Sequence, residues 1–250
     1  MKWELGIVEV GVIPGLPLSL YLPDASPDDT IDPPCYCYVA SDGETTVIVD
    51  TGPDRCQSQA AGLEIAGDTA ELLLAGLRAW GVGPTDVDYI VHTHLHYDHA
   101  QNDLSFPDAA VYVQQAEIEW ATGPDCDRFY VGARELVVGL GDRLHGIDGD
   151  AELLPGLRVV LNAGHTPGHQ SVTFETTEQT VCVCGDIVSL YANLDAVGRI
   201  CPNATETLNF LERSRSANWL MLPSHDPQLR DHRWYVRPDS DHVSTLSDSG

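Results

Sequence analysis

Lysine is all but absent: Lys2 is the only one in 250 residues, and arginine supplies the rest of the 13 basic side chains. Against them stand 38 carboxylates, with Asp outnumbering Glu about two to one, for a formal net charge of -25. Nucleic-acid affinity comes chiefly from Lys and Arg neutralising phosphates, so a nucleic-acid partner is excluded on charge. An anionic membrane surface is disfavoured for the same reason. Long apolar runs are missing too, and none approaches the roughly 20 residues that span a bilayer. The opening residues MKWELGIVEVGVIPG carry Glu4 and Glu9 where a signal peptide needs an unbroken apolar stretch, so the expected location is cytoplasmic.

What is present describes a folded protein. Hydrophobic residues make up 43% and charged residues 20%, so the acidity belongs to a surface and not to a disordered chain. An acidic, lysine-poor surface also suits solvation at high salt. The expected organisation is a single domain over 1–238, monomeric or homodimeric, with a polar tail over 239–250. The seven cysteines are odd in number. Cys35-x-Cys37 and Cys182-x-Cys184 have one intervening residue, which in a strand puts both thiols on one face. Zinc sites usually space their ligands more widely, so these pairs read as core thiols.

The coarse pattern is mixed α/β with layered sheets. Strands are expected over 5–13, Cys35–Ala40, Thr45–Asp50, Val87–Val91, Ala109–Val113, Leu157–Asn162, Ser171–Glu175, Thr180–Cys184 and Trp219–Leu222. Asp42-Gly43 marks a hairpin between the second and third. Ala70, Leu73, Leu74, Leu77 and Trp80 form one face of a helix over 68–80, ended by Gly81. Further helices are expected over 114–121, 128–140 and 204–217, the last capped by Asn203 with Glu206 in capping-box position. Pro14–Pro34 reads as loop. The 54–67 stretch reads as a lid or a plain surface loop, and Trp120, Phe129 and Tyr130 as core or acyl-pocket residues.

The chemistry lies in the histidines. His92-Thr93-His94-Leu95-His96-Tyr97-Asp98-His99 follows an apolar strand, and in extended chain His94 and His96 point the same way. Asp98 and His99, as the chain turns, can aim at a neighbouring point, as two adjacent metal ions require. His165, Asp186 and His225 each follow another strand, so one sheet edge is expected to collect them all. Asp186 is placed to bridge two cations. His92, His145, His232 and His242 lie outside these positions and are expected to be solvated or locally bonded.

This motif set resembles the metallo-β-lactamase fold superfamily, whose signature is His-x-His-x-Asp-His. Within it the chain is most similar to the N-acyl-homoserine lactonase group. The matching stretches are Cys35-Tyr36-Cys37-Tyr38 before Val47-Ile48-Val49-Asp50-Thr51-Gly52, His94 to Ala100, and His165-Thr166-Pro167-Gly168-His169-Gln170-Ser171. The resemblance implies an αββα sandwich of two mixed sheets flanked by helices. It also implies that His94, His96 and His165 hold one metal and Asp98, His99 and His225 a second, with Asp186 bridging. The cofactor is then two divalent ions, zinc first, with iron or manganese also compatible. His169 is expected behind the ligands or in a structural turn, and Asp50 to orient a ligand histidine.

The implied activity is opening of a small-molecule lactone or ester by a hydroxide held between the cations, with Asp98 relaying the proton. Esters, thioesters, cyclic amides and a redirected, non-hydrolytic reaction are the alternatives within the same fold. The lactonase group has a tyrosine three residues after the bridging aspartate, where this chain has Ser189. Tyr191, two positions further, is the candidate catalytic phenol, with Tyr97 as a second donor.

Overall fold

The computed structural model describes residues 2–237. The tail expected over 239–250, with His242, lies outside the described residues. The chain begins with β1 (Glu4–Val12), β2 (Leu16–Pro17), β3 (Thr30–Ile31), β4 (Pro34–Ser41), β5 (Thr46–Val49), α1 (Arg55–Ala60) and α2 (Thr69–Trp80). Then come β6 (Tyr89–Val91), β7 (Ala110–Gln114), α3 (Gln115–Thr122), α4 (Ala133–Leu140), β8 (Leu144–Ile147) and β9 (Ala151–Leu154). The last elements are β10 (Leu157–Leu161), β11 (Gln170–Glu175), β12 (Thr180–Val183), α5 (Ala204–Ser216) and β13 (Leu220–Leu222).

Two mixed sheets result. The six-stranded sheet has the order β1-β4-β5-β6-β7-β8 and the five-stranded sheet β13-β12-β11-β10-β9. Their strands carry apolar residues on both faces, as double burial demands. In β4, Cys35, Cys37 and Val39 face the helical layer of α2, α3 and α4, while Tyr36, Tyr38 and Ala40 face the other sheet. In β12, Val181 and Val183 face the inter-sheet core, and Cys182 and Cys184 meet Phe210 and Leu211 of α5. All four of these cysteines are buried and free, as their spacing implies. The layers are therefore helix, sheet, sheet, helix, the metallo-β-lactamase arrangement.

Local chemistry sets the element ends. Asp42 Oδ1 accepts from the backbone N–H groups of Glu44 and Thr45 and closes the β4–β5 hairpin. Asp68 caps α2, and Gly81 ends it at φ 93°. Helix α2 lies tightly on β1, because at Gly76 a side chain would collide with Val8. The helix expected over 128–140 is divided. Gly132 at φ 78° breaks it, leaving a turn at Arg128–Tyr130 and α4 from Ala133. Strands β8 and β9, absent from the sequence reading, are the outermost strands of their sheets and only partly buried, so they lack a continuous apolar run. In 54–67, α1 forms, and Leu63 and Ile65 pack into the core under the helices instead of covering a site. Among the described residues no helix is long and apolar enough to cross a membrane.

Candidate metal centre

The candidate ligands leave the ends of β6, β10, β12 and β13, so both sheets contribute, not one edge as the strand pattern suggested. His94, His96 and His165 form one group of donor atoms, and Asp98, His99, Asp186 and His225 a second, each group within 4.8 Å. All seven residues expected as ligands are thus brought together. Asp186 faces both groups. Its Oδ2 lies 3.5 Å from His165 Nε2, and its Oδ1 lies 3.1 Å from His225 Nε2 and 3.2 Å from His99 Nε2. Asp98 Oδ2 is 3.5 Å from His225 Nε2 and 3.7 Å from His99 Nε2.

Hydrogen bonds behind the rings fix which nitrogen is offered. His99 Nδ1 donates to Asp50 Oδ2 at 2.8 Å, His225 Nδ1 to Pro34 O at 2.8 Å, and His165 Nδ1 to Ile200 O at 2.6 Å. Each turns Nε2 toward the centre, the nitrogen that a cation would take in place of a proton. His165 Nε2 then meets His96 Nδ1 at 3.1 Å, and two lone pairs that close need a proton or a cation between them. Nε2 of His94 and of His99 are buried without a hydrogen bond. An orphaned imidazole nitrogen in each group, together with an all-imidazole and carboxylate donor set, fits a pair of divalent cations.

The two groups differ electrostatically. Burial, reinforced by neighbouring imidazoles, holds His94 and His96 well below the usual histidine range. Burial also opposes charge on His99 and His225, but Asp186, with Asp98 beside His99, outweighs it and pushes both up. Asp186 is held well below the carboxylate range because His225, His99 and His165 overcome its burial. The first group is thus all imidazole, the second pairs two imidazoles with two carboxylates, and Asp186 faces both.

Asp50 sits at φ 59°, a left-handed backbone that turns the chain at the end of β5. Its carboxylate accepts from Thr93 N and Thr93 Oγ1, both at 2.8 Å, as well as from His99. His169 stands behind the ligands. Its Nδ1 bonds Asn162 Oδ1, and its Nε2 accepts from Asp186 N at 2.9 Å. Burial lowers its pKa to about 3, which keeps that nitrogen an acceptor. Gly185 at φ 62° permits this contact, since a Cβ there would lie 2.6 Å from the His169 ring. Ser224 Oγ donates to Asp186 Oδ1 at 2.6 Å.

A model of the metallo-beta-lactamase superfamily matches residues 30–233. The chain belongs to that superfamily. Among curated members, an N-acyl homoserine lactonase from a Bacillus species is 32% identical over 162 residues, 60% of this chain and 62% of that protein. The N-acyl homoserine lactonase AttM of Rhizobium radiobacter is 32% identical over 109 residues, covering 38% of this chain and 39% of its own length. The chain therefore spans less than two thirds of the length of these curated relatives. A solved N-acyl homoserine lactone hydrolase with N-hexanoyl-L-homoserine at its metal centre superposes with TM-score 0.76 at 24% identity, over 92% of this chain and 96% of that one. AidC, a dizinc quorum-quenching lactonase, superposes with TM-score 0.73 at 19% identity, over 90% of this chain and 88% of that one. These superpositions establish the fold.

The remaining histidines and aromatic residues of this superfamily member take varied places. Of the two expectations for His92, solvated or locally bonded, the buried side chain meets the second: its Nε2 lies 2.7 Å from Asp103 Oδ2, its Nδ1 3.4 Å from Asp50 Oδ1. His145 is exposed and stacks on Tyr112. Phe129 and Tyr130 border His96, with ring centroids at 5.7 and 4.6 Å. Trp120 stays 40% exposed. Tyr191 is not drawn to the cluster; its ring packs against the inter-sheet core and its N–H donates to Asp226 Oδ2 at 2.7 Å. Ser189 is buried, its hydroxyl on Asp186 O at 3.4 Å.

Sequence reasoning missed Glu117. Fully buried on α3, its Oε1 accepts from Leu95 N and Tyr130 OH, and its Oε2 from Thr166 Oγ1 and Gly168 N. One carboxylate thus ties the loop of His94 and His96 to the loop of His165. The only local trace is its place on the buried face of α3, one turn before Ala121.

Proposed function

We propose that the chain is a dinuclear-metal hydrolase that opens lactones of the N-acyl-homoserine type. The observation that carries this reading is Asp186, with one carboxylate oxygen turned to each ligand group. The lactonase names of its relatives support the substrate class. Two divalent cations held by these groups would supply a water acidified toward neutrality and a Lewis acid for the carbonyl oxygen.

The chain's own residues do the rest. His94, His96 and His165 would hold one ion, and Asp98, His99 and His225 the other. Asp98 Oδ2 is turned to His99 and His225, so its other oxygen would be free to take a proton during the attack and return it to the leaving alkoxide. Phe129, 37% exposed beside His96, offers an apolar wall for an acyl chain.

The test is acid release in a pH-stat from a panel of γ-lactones, linear esters and thioesters with zinc-loaded protein. Turnover of acyl-homoserine lactones well above the linear esters is expected. Preference for a thioester, or bound metal without any turnover, would overturn the lactone assignment.

A further inference from the structure

Ester hydrolysis builds negative charge on the carbonyl oxygen, and a preorganised O–H donor beside the cations stabilises it. Most hydroxyls around the centre are already committed. Ser224 serves Asp186 Oδ1, Ser189 serves Asp186 O, Thr93 serves Asp50, and Thr166 and Tyr130 serve Glu117. Among the described residues the hydroxyls of Tyr21, Tyr97 and Tyr191 make no hydrogen bond within the protein.

Position separates these three phenols. Tyr191 packs against the inter-sheet core and is tied by its N–H to Asp226 Oδ2. Tyr97 belongs to the apolar core under the helices and stacks on Phe129. Tyr21 is 4% exposed yet belongs to none of the three apolar cores. Its ring stands edge-on to His225, with centroids 6.4 Å apart. A phenol ordinarily titrates at about 10, so at neutral pH its hydroxyl is a hydrogen-bond donor.

The backbone beneath it is fixed. Tyr21 O accepts from Asn193 Nδ2 at 2.7 Å, and Leu20 O accepts from Ile200 N at 3.3 Å. Ile200 O in turn accepts from His165 Nδ1. The segment carrying the phenol and the loop holding a ligand histidine are therefore one hydrogen-bonded unit, as a preorganised donor requires.

We propose that the Tyr21 hydroxyl donates the hydrogen bond to the substrate carbonyl oxygen at this centre. The assignment rests on the ester-opening reading above. The experiment compares zinc-loaded wild type with Tyr21→Phe, Tyr97→Phe and Tyr191→Phe, measuring bound metal, kcat and KM on a turned-over γ-lactone, and acetohydroxamate affinity by calorimetry. Tyr21→Phe is expected to keep its metal, lose about 100-fold in kcat with KM changed less than about threefold, and bind acetohydroxamate several-fold more weakly.

A Tyr21→Phe protein within about twofold of wild-type kcat overturns the proposal, as does a loss confined to Tyr97→Phe or Tyr191→Phe. Loss of metal in Tyr21→Phe also overturns it, by showing a structural role. Absence of wild-type turnover defeats the ester-opening reading instead. In that event the calorimetry decides: weaker acetohydroxamate binding by Tyr21→Phe supports the donor, and equal binding or none by either protein overturns it.

Discussion

His99 Nδ1 lies 2.8 Å from Asp50 Oδ2, so a carboxylate at the end of β5 dictates which nitrogen of His99 faces the metal centre. The same carboxylate holds Thr93, whose hydroxyl lies 3.1 Å from His94 Nδ1. Asp50 thus orients one histidine of each group. Asp50→Asn is expected to weaken metal binding by about 10- to 100-fold, read by competition with a chromophoric chelator. Unchanged affinity would show that the ligands hold their geometry without it.

Glu117 receives four donors on two oxygens, and an amide in its place would turn its NH2 toward two of them. Glu117→Gln is therefore expected to cost about 2–5 kcal/mol, more than a lost surface ion pair. Thermal denaturation should show a melting temperature lower by roughly 5–15 °C. A shift under about 2 °C would mean that the two loops are tied elsewhere.

Asp103 and Asp50 outweigh the burial that opposes charge on His92 and push its pKa up to about 9. A raised folded-state pKa stabilises the fold fully below the ordinary histidine value of about 6.5 and loses that contribution as pH rises through about 9. Denaturant unfolding of the metal-free protein should weaken across that window. His92→Gln should flatten the slope, and an unchanged slope would remove His92 from the account.

Much of this architecture is legible in the sequence because it is local. His94, His96, Asp98 and His99 lie within six residues, and the double-faced strands announce themselves as apolar runs. Asp186 and His225 are legible as polar residues directly after such runs. What is not legible depends on distant partners. Glu117 meets residues up to 51 positions away, and nothing in its own helix marks a buried charge. His92 looks like any member of a histidine run until Asp103 folds against it. Tyr21 lies in a stretch rich in proline and aspartate that reads as loop, and its contacts with Asn193, Ile200 and His225 reveal that this stretch is built against the centre.

The dinuclear assignment itself is tested most directly by titrating zinc into chelator-treated protein while following bound metal and lactone opening together. Two ions per chain should bind, with full rate reached only when both are present, and His96→Ala and Asp186→Ala should lose metal and rate together. Full rate in metal-depleted protein, or full rate with a single bound ion, would contradict the account.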